Sequence, residues 1–353
     1  MFSKFYQKIA GHFSNDIGID LGTANTLVYL RGRGIVINEP SVVALNVKTN
    51  RVVAVGREAK GMMGRTPNHI RIVRPLVDGV ISDYEVTEEM LSYLINKAND
   101  MDKKILRPRV VVGIPVGVTN VEMRAVYDAS KSAGAREVYI VEEPMAAAIG
   151  VRMNVHDPVG NMIVDIGGGT TDIAIISLSG IVRAKSLKVA GDKLIHDIIG
   201  YMRDEFKMLI GEKTAEDIKL IIGSALPDDE GQEMSIKGRD LVTGLPREAV
   251  ITDVDIREAM YASIAQLVEA IREVLETTPP EVLSDIMHKG ITLTGGGSLI
   301  RNLPTLFSMQ LKVPVIVTED PLTAVARGTG VILEDIESYH QVLVQNTNDI
   351  SFR

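Results

Sequence analysis

Ile19-Asp20-Leu21-Gly22-Thr23-Ala24-Asn25-Thr26 and Val164-Asp165-Ile166-Gly167-Gly168-Gly169-Thr170-Thr171-Asp172 are one pattern used twice in the same chain. Each sets an Asp at the end of an apolar run, follows it with Gly and Thr, and opens a second apolar run, Leu27 to Leu30 in one case and Ile173 to Ile176 in the other. A hairpin turn of that composition exposes backbone N–H groups, and its small side chains let a phosphate approach them closely. Two such turns, each with a carboxylate beside it, can grip a polyphosphate from both sides and hold a divalent cation between them. The pattern predicts a nucleotide-binding protein.

The rest of the chain fits that prediction and excludes other classes. Its 353 residues suffice for two domains, and a composition 45% hydrophobic and 24% charged supplies a core. A net charge of −8 argues against a nucleic-acid binder. There is no cysteine, which rules out disulfides and thiolate metal sites and fits a reducing cytoplasm. The six histidines are scattered, with no pair at helical ligand spacing, so a zinc enzyme is not expected. No apolar run approaches the roughly 20 residues that span a bilayer.

The N-terminus carries no secretory signal, but it is distinctive. Phe2, Phe5, Tyr6, Ile9 and Phe13 share one helical face, Lys4, Lys8 and His12 line another, and the first acid is Asp16. This predicts an amphipathic helix over residues 1–13 lying in a membrane surface. The alternative is a short helix packed on the body or a frayed tail. Ile105 and Leu106, flanked by Lys103, Lys104 and Arg107, are a second candidate lipid contact, unless the apolar pair packs inward.

Beyond the two turns the halves keep the same order. Third-strand candidates are Val42 to Leu45 and Ser186 to Val189. A helix is predicted over Thr87 to Asn99, with Met90, Leu91, Leu94 and Ile95 on one face. The strand Val110 to Pro115 precedes a helix from about Asn120 to Gly134, and its counterpart Ile291 to Thr294 runs into Gly295-Gly296-Gly297-Ser298. Tyr139 to Pro144 leads into Ala146-Ala147-Ala148-Ile149-Gly150, and Val315 to Pro321 leads into Thr323 to Gly328. Both of these read as strand, acid, Pro in the first helical turn, then small residues that let another helix cross closely. The order βββαβα appears twice, interrupted by insertions at about 33–66 and 182–247.

Duplicated phosphate loops, two Pro-led connecting helices and the Thr-Gly-Gly-Gly-Ser turn together resemble the superfamily of actin, the heat-shock chaperones and the sugar kinases. Within it, the chain is most similar to the MreB family of bacterial rod-shape actins. That resemblance rests on Asp20 to Thr26, Asn38-Glu39-Pro40-Ser41-Val42-Val43-Ala44, Gly64-Arg65-Thr66-Pro67, Glu142 to Ala148 and Leu293 to Gly297. It implies an α/β, actin-like ATPase fold of duplicated RNase H-like domains flanking a nucleotide cleft. Subdomain IA would comprise 14–32 and 67–145, joined by 315–353; IB 33–66; IIA 146–181 and 248–314; and IIB 182–247. The pattern departs from the family at Asp172, where most relatives carry Glu, and at Ile195-His196-Asp197-Ile198.

The chemistry follows from the residues and the resemblance together. Asp20 and Asp165 are expected to hold the water shell of Mg²⁺, an ion that favours carboxylates and phosphate oxygens; either Asp alone would read as a turn cap. Spacing does not choose between Glu142 and Glu143, both of which suit a helix N-terminus. The resemblance assigns the attacking water to Glu143, aligned by Thr170. Gly22, Thr23, Ala24 and Asn25, with Gly167, Gly168 and Gly169, are expected to cradle the phosphates of ATP, and Gly295, Gly296, Gly297 and Ser298 to lie against the adenosine. By resemblance Glu216 and Lys219 contact the nucleoside; a solvated i, i+3 pair is the competing reading. Gly211-Glu212-Lys213-Thr214 is no Walker A ending, since no Gly precedes Lys213.

The resemblance further implies a slow ATPase that forms head-to-tail filaments and paired protofilaments. These would lie in the cytoplasm on the inner face of the cell membrane and organise wall synthesis with RodZ, MreC and MreD. The alternatives are a division or pilus-assembly ATPase of the same superfamily, or a small-molecule kinase, for which no additional base motif is evident.

Overall fold

The computed structural model describes residues 14–101, 106–227 and 231–344. Two five-stranded sheets form its two lobes, and they have the same topology. In lobe I, β1 (Ile17–Leu21), β2 (Asn25–Leu30) and β3 (Gly34–Pro40) form an antiparallel meander. Between this meander and the lobe's fourth strand lie β4 (Val43–Asn46), β5 (Arg51–Val55), α1 (Arg57–Met62), β6 (Ile70–Val73), the hairpin β7 (Leu76–Val77) and β8 (Val80–Ile81), and α2 (Tyr84–Asp100). Then β9 (Arg109–Ile114), α3 (Asn120–Ser132), β10 (Glu137–Glu142) and α4 (Glu143–Gly150) complete it, with β9 and β10 joining β1 in parallel to give the order β10-β9-β1-β2-β3.

Lobe II repeats the scheme. β11 (Asn161–Ile166), β12 (Thr171–Ser177) and β13 (Gly180–Leu187) are its meander. An insertion carries α5 (Gly191–Asp204), β14 (Met208–Leu209), α6 (Glu212–Ile222), β15 (Glu233–Asp240) and β16 (Pro246–Thr252). The lobe closes with α7 (Asp253–Glu276), α8 (Pro280–Lys289), β17 (Ile291–Thr294), α9 (Leu303–Leu311), β18 (Val315–Val317) and α10 (Ala324–Glu334), in the order β13-β12-β11-β17-β18.

The central strands are mostly apolar because helices cover both sheet faces, with Asp20 and Asp165 set near their ends. Ile17, Ile19, Val110, Val111, Val112, Ile163 and Val164 are all fully buried. Helix starts are written locally: Asp83 caps α2 through the Val86 amide, and Thr119 with Glu122 and Thr252 with Asp255 make capping boxes on α3 and α7. The face of α2 carrying Met90, Leu91, Leu94 and Ile95 is buried, as its spacing predicts.

A third core lies between the lobes and is built on α4 and α10. Their small residues let the two backbones touch: a Cβ on Gly150 would run into the Ala324 carbonyl, and one on Gly328 into the Ala146 carbonyl. The two Pro-led segments therefore cross each other. They are not identical, since Pro144 lies in the first turn of α4, whereas Pro321 opens a 3-10 turn and the α-helix begins only at Ala324.

The third strands differ from expectation. In lobe I the strand is Gly34–Pro40, while Val43–Asn46 belongs to a separate sheet ordered β5-β4-β6; in lobe II it is Gly180–Leu187, which Ser186 to Val189 only overlaps. Both true third strands are half-exposed sheet edges, so they carry a weaker apolar signal than the runs beside them. The β5-β4-β6 sheet spans 43–73, and the β14-β15-β16 sheet spans 208–252. Among the described residues no helix is long and apolar enough to cross a membrane.

Candidate functional site

The two glycine-threonine turns meet at the bottom of a cleft between the lobes. A cavity of about 380 Å³ there is lined by Asp20 to Asn25, Glu143, Asp165, Gly167 to Thr170, Glu216, Lys219 and Gly295 to Gly297. Ser298 is absent from the lining; it is buried and its hydroxyl donates to the Gly295 carbonyl (2.7 Å), closing the turn. Gly295 itself has φ 78°, a conformation that favours glycine. A larger cavity, about 480 Å³, sits between β5 and the start of α2, away from both loops.

The loops are in contact. A Cβ on Gly168 would stand 2.6 Å from that of Ala24, and one on Gly169 would stand 2.5 Å from the Thr23 hydroxyl. Their carbonyls are tied outward. The Ser41 hydroxyl donates to the Gly22 carbonyl (2.5 Å) and its amide to that of Ala24 (3.0 Å). In lobe II, the amides of Gly191 and Asp192 at the start of α5 bond the carbonyls of Gly167 (3.1 Å) and Gly168 (2.8 Å). Among the described residues the amides of Thr23, Ala24, Gly168 and Gly169 donate to no protein acceptor. Inward-facing, unspent N–H groups on small residues are what a polyphosphate requires.

Strand register sets the carboxylates. Asp20 on β1 lies opposite Leu27 on β2 and Gly113 on β9. Gly113 is glycine for a steric reason: a Cβ there would come within 3.3 Å of the Glu143 Cγ and 3.1 Å of Val325. Glu143, the first residue of α4, can therefore lie over β9 towards Asp20. Asp165 on β11 lies opposite Asp172 on β12. Glu143, Asp165 and Asp172 are all buried in the static structure, and Asp20 lines the same cavity.

Burial pushes Asp20 up to about 7 and Asp172 up to about 6, and holds Asp165 and Glu143 well above the usual carboxylate range. The charges of Asp172, Asp20 and Asp165 raise Glu143 further. So many acids in one low-dielectric site call for a cation. Hard carboxylate oxygens suit Mg²⁺, although among the described residues no group of three acids or histidines could hold a metal ion unaided. That combination fits an ion that keeps most of its water and takes further oxygens from phosphate.

Glu216 and Lys219 do face the cavity, from α6. The Lys219 ammonium donates to the Gly191 carbonyl (3.1 Å), and burial lowers its pKa. Glu216 pairs across the cleft with Lys60 of α1 (2.9 Å). Arg74 makes two more cross-cleft pairs, to Asp192 (3.3 Å) and Glu212 (2.6 Å). These bridges are invisible in sequence because the partners are more than a hundred residues apart. Gly79 was detectable: Asp78-Gly79 between valines is a strong hairpin signal, and both residues have positive φ (50° and 76°). The Gly79 amide donates to the Thr23 hydroxyl (3.0 Å), and a Cβ on Gly79 would meet Thr170.

Of the candidate membrane residues, Phe2, Phe5, Tyr6, Ile9, Phe13 and Ile105 lie outside the described residues. Leu106 is exposed, and its backbone bridges in parallel to Ser14.

The model of the MreB/Mbl protein family matches residues 14–341. The chain belongs to the MreB/Mbl family. Cell shape-determining protein Mbl of Bacillus subtilis is 50% identical over 325 residues, covering 92% of this chain and 97% of the relative. Cell shape-determining protein MreB of Escherichia coli is 49% identical over 337 residues, covering 94% and 97%. The crystal structure of MreB5 of Spiroplasma citri bound to ADP superposes with a TM-score of 0.87 at 41% identity, over 96% of this chain and 99% of that one. The duplicated lobes are thus the actin-like fold of the MreB/Mbl family.

Proposed function

We propose that this chain is a bacterial actin-like cytoskeletal ATPase that polymerises head to tail into membrane-associated filaments and organises wall synthesis to maintain rod shape. The observation that carries the reading is the pair of touching loops with unspent amides, flanked by Asp20, Asp165 and Glu143. Relatives support it: MreB5 of Spiroplasma citri has structures bound to ADP and to AMPPNP, and the B. subtilis and E. coli relatives are named as cell shape-determining.

In this reading Gly22 to Asn25 and Gly167 to Gly169 hold the phosphates of ATP through backbone amides. Asp20 and Asp165 hold Mg²⁺ mainly through water, and the ion supplies charge neutralisation on the phosphates. Positive charge among the acids draws their proton affinities back down, leaving Glu143 able to orient or deprotonate the attacking water near neutral pH, with Thr170 aligning it. Gly295 to Gly297 and Lys219 take the nucleoside side; Glu216 divides its role between the nucleoside and Lys60.

Subunits repeated by an interface that does not close give a filament. The Ser14–Leu106 bridge supports a joint lipid contact, because it sets Ser14, the residue after 1–13 in the sequence, beside Leu106. Filaments would then be peripheral on the inner face of the cell membrane, with RodZ, MreC and MreD as partners. Sedimentation with ATP and Mg²⁺ tests the filament: it is expected to pellet at micromolar concentration, and a persistent monomer across salt and lipid conditions refutes it. Liposome flotation of the full chain against one lacking residues 1–13 tests the anchor, and equal binding removes it.

A further inference from the structure

Lobe II carries a carboxylate that lobe I does not need. In register, Asp165 faces Asp172 across β11 and β12, whereas its counterpart Asp20 faces Leu27. The hairpin itself therefore works with an apolar residue at this position. Setting two acids directly opposite one another in a sheet is unfavourable, and burying the second adds to the cost. Asp172 is nonetheless 1% exposed.

Its partners explain the exception. Asp172 Oδ1 accepts a hydrogen bond from the Val116 amide at 3.0 Å, and Val116 belongs to lobe I. It stands two residues beyond β9, the strand whose Gly113 underlies Glu143. Thr170, two residues back along the chain, and Ser186, the cross-strand neighbour on β13, also lower the proton affinity of the Asp172 carboxylate. One side chain thus reaches the lobe that carries the acid at 143 and the loop that carries the hydroxyl at 170.

We propose that Asp172 is a positioning residue for hydrolysis: it ties the end of β9 to the strand that leaves the second phosphate loop, so that Glu143 and Thr170 are held to one distance. This rests on the ATPase reading above. The hydrogen bond makes the prediction specific, because an acceptor at residue 172 is required and a negative charge is not. Glu would keep an acceptor with one more methylene.

The test compares D172A, D172N and D172E with the unaltered full chain. ATP affinity is read with a fluorescent analogue, and single-turnover phosphate release with Mg²⁺ reads the chemical step. D172A is expected to slow release by about tenfold or more while ATP affinity stays within about threefold, because misplacing groups by a fraction of an ångström costs rate before binding. D172N, which keeps an acceptor for Val116, is expected to release phosphate within about threefold of the unaltered chain, and D172E to restore most of the rate lost in D172A. If D172A does not fold, D172S, whose hydroxyl is too short to reach, takes its place. Unchanged release in D172A, or D172N as slow as D172A, overturns the proposal. Failure of the unaltered chain to hydrolyse ATP that it binds would instead overturn the ATPase reading.

Discussion

The two phosphate loops share a turn and a strand register, and they differ in what holds them. The loop of lobe I is clasped from an edge strand: Ser41, just beyond β3, bonds the carbonyls of Gly22 and Ala24, and its hydroxyl also contacts Thr26 (2.9 Å). The loop of lobe II is clasped by a helix, with the amides opening α5 on its carbonyls and the Thr171 hydroxyl on Val189 (2.7 Å). The first is a brace within one lobe's sheet. The second connects the loop to α5, whose Asp192 pairs with Arg74 across the cleft. Duplication supplied a symmetric grip, and divergence made one half of it responsive to the position of the other lobe.

The sharpest break in that symmetry is the acid that opens α4: its counterpart in the sequence, Asp320 before Pro321, precedes a 3-10 turn, and α10 begins only at Ala324. Glu143→Ala should retain ATP binding and lose phosphate release by about 10²-fold or more, the contribution of a positioned general base; normal turnover in a phosphate-release assay would end its assigned role. Gly113→Ala comes next. Its new methyl crowds the Glu143 stem, so release should fall by about tenfold with affinity little changed, in keeping with a misplaced catalytic group. An unaltered rate would mean that Glu143 does not depend on the room Gly113 leaves.

Removing each brace sharpens the contrast between lobes. Ser41→Ala should weaken ATP binding by a factor of about 5, the worth of a single hydrogen bond of roughly 1 kcal/mol. Thr171→Val should cost a similar factor and also change the salt dependence of closure, because its loop is coupled to α5. Equal salt dependence in the two variants would remove the distinction drawn here. Lys60→Met should have a smaller effect, since a half-exposed ion pair contributes about 0.2–1 kcal/mol. Its signature is nucleotide release that is faster at low salt and converges on the unaltered chain at high salt.

The smallest effect concerns Glu39, on the strand leading to Ser41. Burial pushes its carboxyl up, but the hydrogen bonds from Lys97 (2.9 Å) and the Arg57 amide (2.9 Å) outweigh this and leave it below 4.5. A group depressed in the folded state gives stability above its unfolded pKa and loses it as the pH falls through the folded value. Glu39→Gln should therefore be slightly less stable at neutral pH, with the difference shrinking as the pH falls below the ordinary carboxylate range in thermal melts. A constant difference down to acid pH would show that the loss is one of packing.

What was legible in the chain follows physical range. Asp20, Asp165 and the glycine turns were readable because a hairpin's chemistry is local and because it occurs twice. The buried face of α2, the span of α3 and the strands β9, β10 and β17 were readable from apolar patterning. The edge strands were not, since β3 and β13 are buried only in part and Val43–Asn46 carries the stronger apolar signal. Glu143 needed the family resemblance: Glu142 beside it is chemically equal in sequence, and only Gly113 on the neighbouring strand provides room for one of them. Lys60, Arg74 and Val116 act through contacts between distant segments. Asp172 stood out as a departure from the family pattern; its partner Val116 lies in the other lobe.

The crossing of α4 and α10 has a mechanical consequence. Where two helices touch backbone to backbone at Gly150 and Gly328, no side chain is present to yield, so relative movement of the lobes must be a rotation about that contact. Such a joint works as a bearing. The ion pairs that span the cleft, Lys60–Glu216 and those of Arg74 with Asp192 and Glu212, are contacts that such a rotation would make and break.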